Sequence, residues 1–187
     1  MALITVKEIF DLLVMTAALG YVFMTYIPKT RTAYQMIHEH GFSWEDFFFA
    51  IKVTAPAIVL HELMHKFVAL LFGLKAVFHA WYFGLFLGIF LKWIHSPFIL
   101  FAPGYVSMSE SSPLVMALTA FAGPATNLLL FLIAAGILTY ATKLTKGQAM
   151  FLYLTKQINL FLFIFNMLPI PPLDGSKVFY GLYKIFF

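Results

Sequence analysis

Four stretches of this 187-residue chain, at residues 9–27, 47–73, 114–141 and 149–168, are long and apolar enough to cross a lipid bilayer. A bilayer core of roughly 30 Å is crossed at about 1.5 Å per helical residue, so a span needs about 20 of them. That constrains the fold more than any other feature, because in lipid every backbone N–H and C=O must find its partner inside the protein, as a helix provides. The composition demands such a solvent: 62% of the residues are hydrophobic, 11% are charged and 23 are phenylalanine. Soluble domains are about 45–50% apolar and about 25% charged.

The segments between the spans read as connections. Residues 28–46 gather charge into a first polar connection, while SMSESSP at 107–113 and KLTKGQ at 143–148 turn the chain back. NMLPIPPLDGS at 166–176 holds three prolines that forbid regular helix, and 176–187 is expected to form a short C-terminal helix. Residues 76–106 are apolar and aromatic but broken by Gly84, Gly88, Lys92, His95, Pro97, Pro103 and Gly104. A further span, a re-entrant loop and a membrane-dipping hairpin all stay open for them. The expected fold is an all-α polytopic membrane protein: about four transmembrane helices, a membrane-associated segment at 76–106 and a short C-terminal helix. All of it forms one membrane-embedded domain over 1–187.

The net charge of +4 comes from twelve basic residues, of which only Arg31 is an arginine, spread along the chain. Phosphate tracking needs a clustered basic face, so nucleic acid is excluded as a partner, and the bilayer is the expected one. The chain has no cysteine. A transition metal would therefore have to bind histidine and carboxylate.

The span at 47–73 contains His61-Glu62-Leu63-Met64-His65. A charge at the centre of a lipid-facing helix costs about 2.5–3.5 kcal/mol on insertion scales, so three ionisable groups in five residues point to function. In H-E-x-x-H the i, i+4 spacing sets both imidazoles on one helix face, where one metal ion can bridge them. Glu62 stands beside that face. Zinc lowers the pKa of its water from 15.7 to about 7, and a nearby carboxylate can take the proton as water attacks a carbonyl, then pass it to the leaving amine.

Catalytic zinc usually has three protein ligands and one open position. After His65 the chain has two acids, Glu110 and Asp174, and two histidines, His79 and His95. Glu110 lies among serines in a polar loop, and the two histidines sit in an aromatic segment with no partner at ligand spacing. Upstream, Glu45 and Asp46 lie over 20 Å away along a continuous helix at about 1.5 Å per residue, and His38 and His40 fall in the polar connection. Asp174 directly follows an apolar span through the rigid PIPPL segment, where a carboxylate needs a cation. Its other reading is the N-cap of the terminal helix.

With HELMH at 61–65, GPATN at 123–127 and NMLPIPPLDG at 166–175, the sequence resembles the site-2 protease family of intramembrane zinc metalloproteases. The resemblance implies His61, His65 and Asp174 as ligands of one zinc ion per chain and Glu62 as catalytic acid/base, in agreement with the elimination. It also implies places for Asn127 and Asn166 beside the scissile peptide, where an amide can donate to the developing oxyanion or hold a substrate strand. Each could instead hydrogen-bond between helices. Gly123 and Pro124 read as residues that let helices approach and kink. Met64, where the family usually has a small residue, and Ser176, where a second glycine is common, depart from the pattern. No PDZ or CBS domain is expected.

The activity implied is hydrolysis of peptide bonds in or near transmembrane segments of membrane proteins, by a multi-pass protein of the cell membrane. A helical substrate would have to unwind first, and 76–106 could offer it a binding edge or gate. A membrane metal-ion transporter and a non-catalytic zinc-stabilised scaffold are the competing classes.

Overall fold

The computed structural model describes residues 4–25, 42–96 and 103–187. In chain order these form α1 (Val6–Phe23), α2 (Trp44–Leu71), β1 (Ala76–Ala80), α3 (Tyr82–Trp93), β2 (Gly104–Met108), α4 (Pro113–Tyr140), α5 (Lys146–Asn166) and α6 (Asp174–Phe186). Helix starts follow local chemistry. Thr5 and Glu8 make a capping box on α1, and Thr145 and Gln148 make one on α5. Ser43 and Ser112 cap α2 and α4, with Pro113 in the first turn of α4. Gly73, at φ +74, follows the end of α2.

Among the described residues, α2, α4 and α5 are long and apolar enough to cross a membrane. The expected first span is the 18-residue α1, whose first half carries Lys7, Glu8 and Asp11; it is not one of the three, and residues 26–27 of that span lie outside the described residues. Most of the 28–46 connection lies outside them too. α4 runs continuously through Gly123 and Pro124. The neighbouring α2 likewise continues through Pro56.

The segment at 76–106 differs most from an all-α reading. It contributes two antiparallel strands, paired Ala76↔Met108 through Ala80↔Gly104, and between them the apolar α3; residues 97–102 lie outside the described residues. At about 1.5 Å per residue, the 12-residue α3 is roughly 18 Å long, too short to span. The Trp81 amide donates to Pro103 O at 3.0 Å and the Ser109 amide to Lys75 O at 3.1 Å. Antiparallel pairs alternate between bonded and non-bonded. The odd-numbered residues of both strands therefore bond across the sheet, and the even-numbered ones turn their backbone groups outward.

On the β1 side those outward groups are met by α1. The Phe78 amide donates to Glu8 Oε1 at 2.8 Å and the Ala80 amide to Asp11 Oδ2 at 3.3 Å. Asp11 also accepts from the Tyr82 hydroxyl at 2.5 Å and from Lys7 at 3.1 Å. Glu8 is ion-paired with Lys66 of α2. Around these polar links pack Met15 and Leu19 of α1, Ile58 of α2, Phe78 and Ala80 of β1 and Leu85 of α3.

Glu8 and Lys66 are 1% and 3% exposed. Removing one member of such a pair leaves a buried charge uncompensated, which costs about 3–5 kcal/mol. Glu8→Ala is expected to lower the unfolding free energy in detergent by that order, and Glu8→Ala with Lys66→Met by clearly less. Chemical denaturation of the three proteins checks this.

Candidate metal centre

The interior of the bundle places two histidines and an aspartate against one another at the meeting of α2, α4, α5 and α6. His61 and His65, one helical turn apart on α2, turn their Nε2 atoms toward each other at 3.1 Å. Asp174 Oδ2 lies 3.0 Å from the first and 3.2 Å from the second. Asp174 is the first residue of α6, and the cap position belongs to Leu173, without a side-chain cap bond. Its carboxylate is thus directed to the histidines and not to its own helix. Gly175 permits this start: a Cβ there would collide with the carbonyl oxygens of Met167 and Leu168.

The far sides of both rings are committed. His65 Nδ1 lies 2.8 Å from the Thr119 carbonyl, which can only accept. His61 Nδ1 lies 2.6 Å from Asn127 Oδ1, and the Asn127 amide nitrogen donates to Ala57 O at 2.9 Å and to Asn159 Oδ1 at 2.8 Å. Each ring therefore carries a proton on Nδ1, and in the neutral ring Nε2 presents a lone pair to the other Nε2 and to a carboxylate oxygen. Only positive charge between them relieves that repulsion. A second partner that fixes ring and tautomer is the usual arrangement behind metal-ligating histidines.

The donor set fits zinc. Bonds of about 2.0–2.1 Å to a tetrahedral ion put ligand atoms about 3.3 Å apart, close to the 3.0–3.2 Å sides of this triangle. Space is kept by Gly123 on α4. A Cβ there would stand 2.6 Å from His61 Nε2 and closer still to His65 Nε2, filling the cradle. Among the described residues this is the one cluster of three or more such side chains that could hold a metal ion.

Glu62 opens with the triad onto a cavity of about 500 Å³. Its carboxylate makes no hydrogen bond to any described residue. The cavity wall is otherwise mainly apolar, from Ile58, Trp81, Val106, Ala120, Leu162 and Phe165, with Asn166 and Lys177 as further polar groups. His65 and His61 lie six and ten residues before the end of α2 at Leu71, so about 9–15 Å in from that end.

The other sequence candidates lie apart from this cluster. Glu110 is exposed, and His79 on β1 meets Ser107 at 3.0 Å. His95 is exposed after α3, and Glu45 and Asp46 begin α2. His38 and His40 lie outside the described residues. Asn166 lines the cavity, with one amide hydrogen bond to Leu162 O at 3.0 Å. Of the two readings open for Asn127, a place beside the scissile peptide and a hydrogen bond between helices, its geometry matches the second: it is 0% exposed, and both its oxygen and its nitrogen are used on His61, Ala57 and Asn159. Sequence reasoning does not single out Asn159, although an amide two helical turns before Asn166 in an apolar span is a legible signal.

A bundle of long apolar helices with an interior His-His-Asp donor set defines a class, membrane proteins with a buried centre of metal-site type. Residues 137–187 match the sequence pattern of Peptidase family M50. A protein of Methanocaldococcus jannaschii named "Putative zinc metalloprotease" is 34% identical over 178 residues, covering 92% of this chain and 83% of that protein. A Bacillus subtilis protein of the same name is 30% identical over 143 residues, covering 65% of this chain and 63% of that protein. No solved structure matches the chain. The chain belongs to peptidase family M50, the site-2 protease family.

Gly123→Ala is expected to remove metal binding while leaving the helix intact, since alanine is favoured over glycine in a helix by about 1 kcal/mol. Zinc content of the purified variant and its far-ultraviolet circular dichroism check both halves.

Proposed function

We propose that this protein is an intramembrane zinc metalloprotease that hydrolyses peptide bonds in or near transmembrane segments of other membrane proteins, the chemistry of regulated intramembrane proteolysis. The observation that carries the reading is the set of two tautomer-fixed Nε2 atoms and one carboxylate oxygen beside Glu62, on a cavity walled by spanning helices.

His61, His65 and Asp174 would hold one zinc ion. Zinc bound there supplies Lewis acidity, which acidifies water and polarises a carbonyl. Glu62, unencumbered by hydrogen bonds to described residues, takes the proton of the attacking water and returns it to the leaving amine. Asn166 keeps an amide hydrogen and its oxygen for the substrate, and a donor aimed at a developing oxyanion is often worth about 2.7–4 kcal/mol. The apolar wall keeps lipid and bulk water away from the reacting bond.

A helical substrate offers no free carbonyl until it unwinds, and an unwound strand in an apolar setting needs backbone partners. The outward-facing residues of β2, Gly104, Val106 and Met108, line the cavity and supply such a strand with an edge. Of the binding edge and the gate open for 76–106, this takes the edge.

Two experiments test the reading. In liposomes with a transmembrane substrate, Glu62→Gln is expected to retain zinc and lose cleavage, and Asp174→Asn to bind zinc more weakly. Equal cleavage by wild type and both variants would sink the mechanism, and zinc flux across the sealed membrane would indicate a transporter. Val106→Pro removes an edge donor that β1 does not use, and one hydrogen bond of about 0.5–1.5 kcal/mol corresponds to a fall of about 2- to 10-fold in kcat/KM. Unchanged kcat/KM in Val106→Pro, with zinc content equal to wild type, would remove β2 from substrate binding.

A further inference from the structure

We infer that Asn159 of α5 is a positioning residue for the metal centre, acting through Asn127 to hold His61 in the tautomer that leaves its Nε2 free. The inference rests on the proposed reading of the centre as a zinc site.

An asparagine amide can face a neighbour in two ways, oxygen first or nitrogen first. Oxygen first, Asn127 accepts the Nδ1 proton of His61. Nitrogen first, it would donate to Nδ1 and move the ring's proton to Nε2, where it would block coordination. What selects between them is the opposite end of the amide. There the Asn127 nitrogen meets two acceptors, Ala57 O at 2.9 Å and Asn159 Oδ1 at 2.8 Å. Turned over, Asn127 would set its own oxygen against both.

Asn159 can enforce this only if its own orientation is fixed, and it is. Its amide nitrogen donates to Thr155 O, one turn back on the same helix, at 2.8 Å. The line from Thr155 O through Asn159 and Asn127 to His61 therefore has a single direction of donation. Asn127 and Asn159 are both 0% exposed, so no solvent contact at either side chain offsets a reversal. Three helices contribute, α5 holding Asn159, α4 holding Asn127 and α2 holding the ligand. The line is built from neutral amides, and it adds no charge beside His61, Glu62 and His65, already buried on α2.

The test measures zinc affinity of the full chain in nanodiscs by competition with a chromophoric chelator. Loss of a group that orients a ligand typically costs 10–100-fold in metal affinity, and Asn159→Leu is expected to weaken zinc binding about 10-fold. In an Asn127→Leu background the same change should add nothing, because its route to the metal is already cut. Asn159→Asp, whose protonated carboxyl offers the same acceptor and a donor to Thr155 O, should bind zinc like wild type. In histidine-labelled protein, ring nitrogen shifts should show a pure Nδ1–H tautomer for His61 in wild type and a mixture in Asn159→Leu. Should Asn159→Leu not fold, Asn159→Ala removes the acceptor without the bulk and carries the same comparisons.

Wild-type zinc affinity in both Asn159→Leu and Asn159→Ala, or additive effects of the two asparagine changes, would overturn the inference while leaving the zinc site in place. A wild type that binds no zinc removes the proposed function and this inference together.

Discussion

Three lone pairs aimed at one another about 3 Å apart inside an apolar bundle are the constraint on which the rest of this structure depends. The repulsion is sharpened by the low dielectric, and the surrounding fold is arranged so that it cannot relax. The Nδ1 atoms are engaged by acceptors that have no proton to give, Asp174 is drawn in by the α6 start under Gly175, and Gly123 withholds the one carbon that would fill the gap. Four helices meet there because no single helix can supply two imidazoles, their partners and a third donor.

A second polar cluster, at the α1 end of the bundle, works differently. Glu8 and Lys66 neutralise each other, and the leftover oxygen capacity of Glu8 and Asp11 goes to backbone amides of β1 and to Tyr82. Here buried charge organises architecture, tying α1 to both α2 and the hairpin. At the centre, neutral histidines leave the Asp174 carboxylate facing lone pairs in place of an opposite charge. The contrast separates a structural network from a binding one without appeal to sequence motif.

Much of this was legible in the chain. HELMH is a local pattern whose helix puts both rings on one face, and Asp174 followed from a short inventory of acids. The long apolar runs located α2, α4 and α5 to within a few residues. The strands were not legible, because AVFHA and GYVSM are short, separated by an apolar helix, and paired only through contacts distant in sequence. Which of its two readings Asn127 takes was not legible for a related reason. Which neighbour an amide serves depends on what lies at both its ends, and Ala57 and Asn159 become its neighbours only when three helices pack.

Two five-residue strands make a ladder too small to hold its own alignment. The carboxylates of α1 supply what the ladder lacks. A slip of one residue would carry the Phe78 and Ala80 amides away from Glu8 and Asp11 and turn every side chain of the moved strand to the other face. The first helix thus acts as a jig for the hairpin's register, and through it two residues near the N-terminus decide which backbone groups of residues 104–108 look into the cavity.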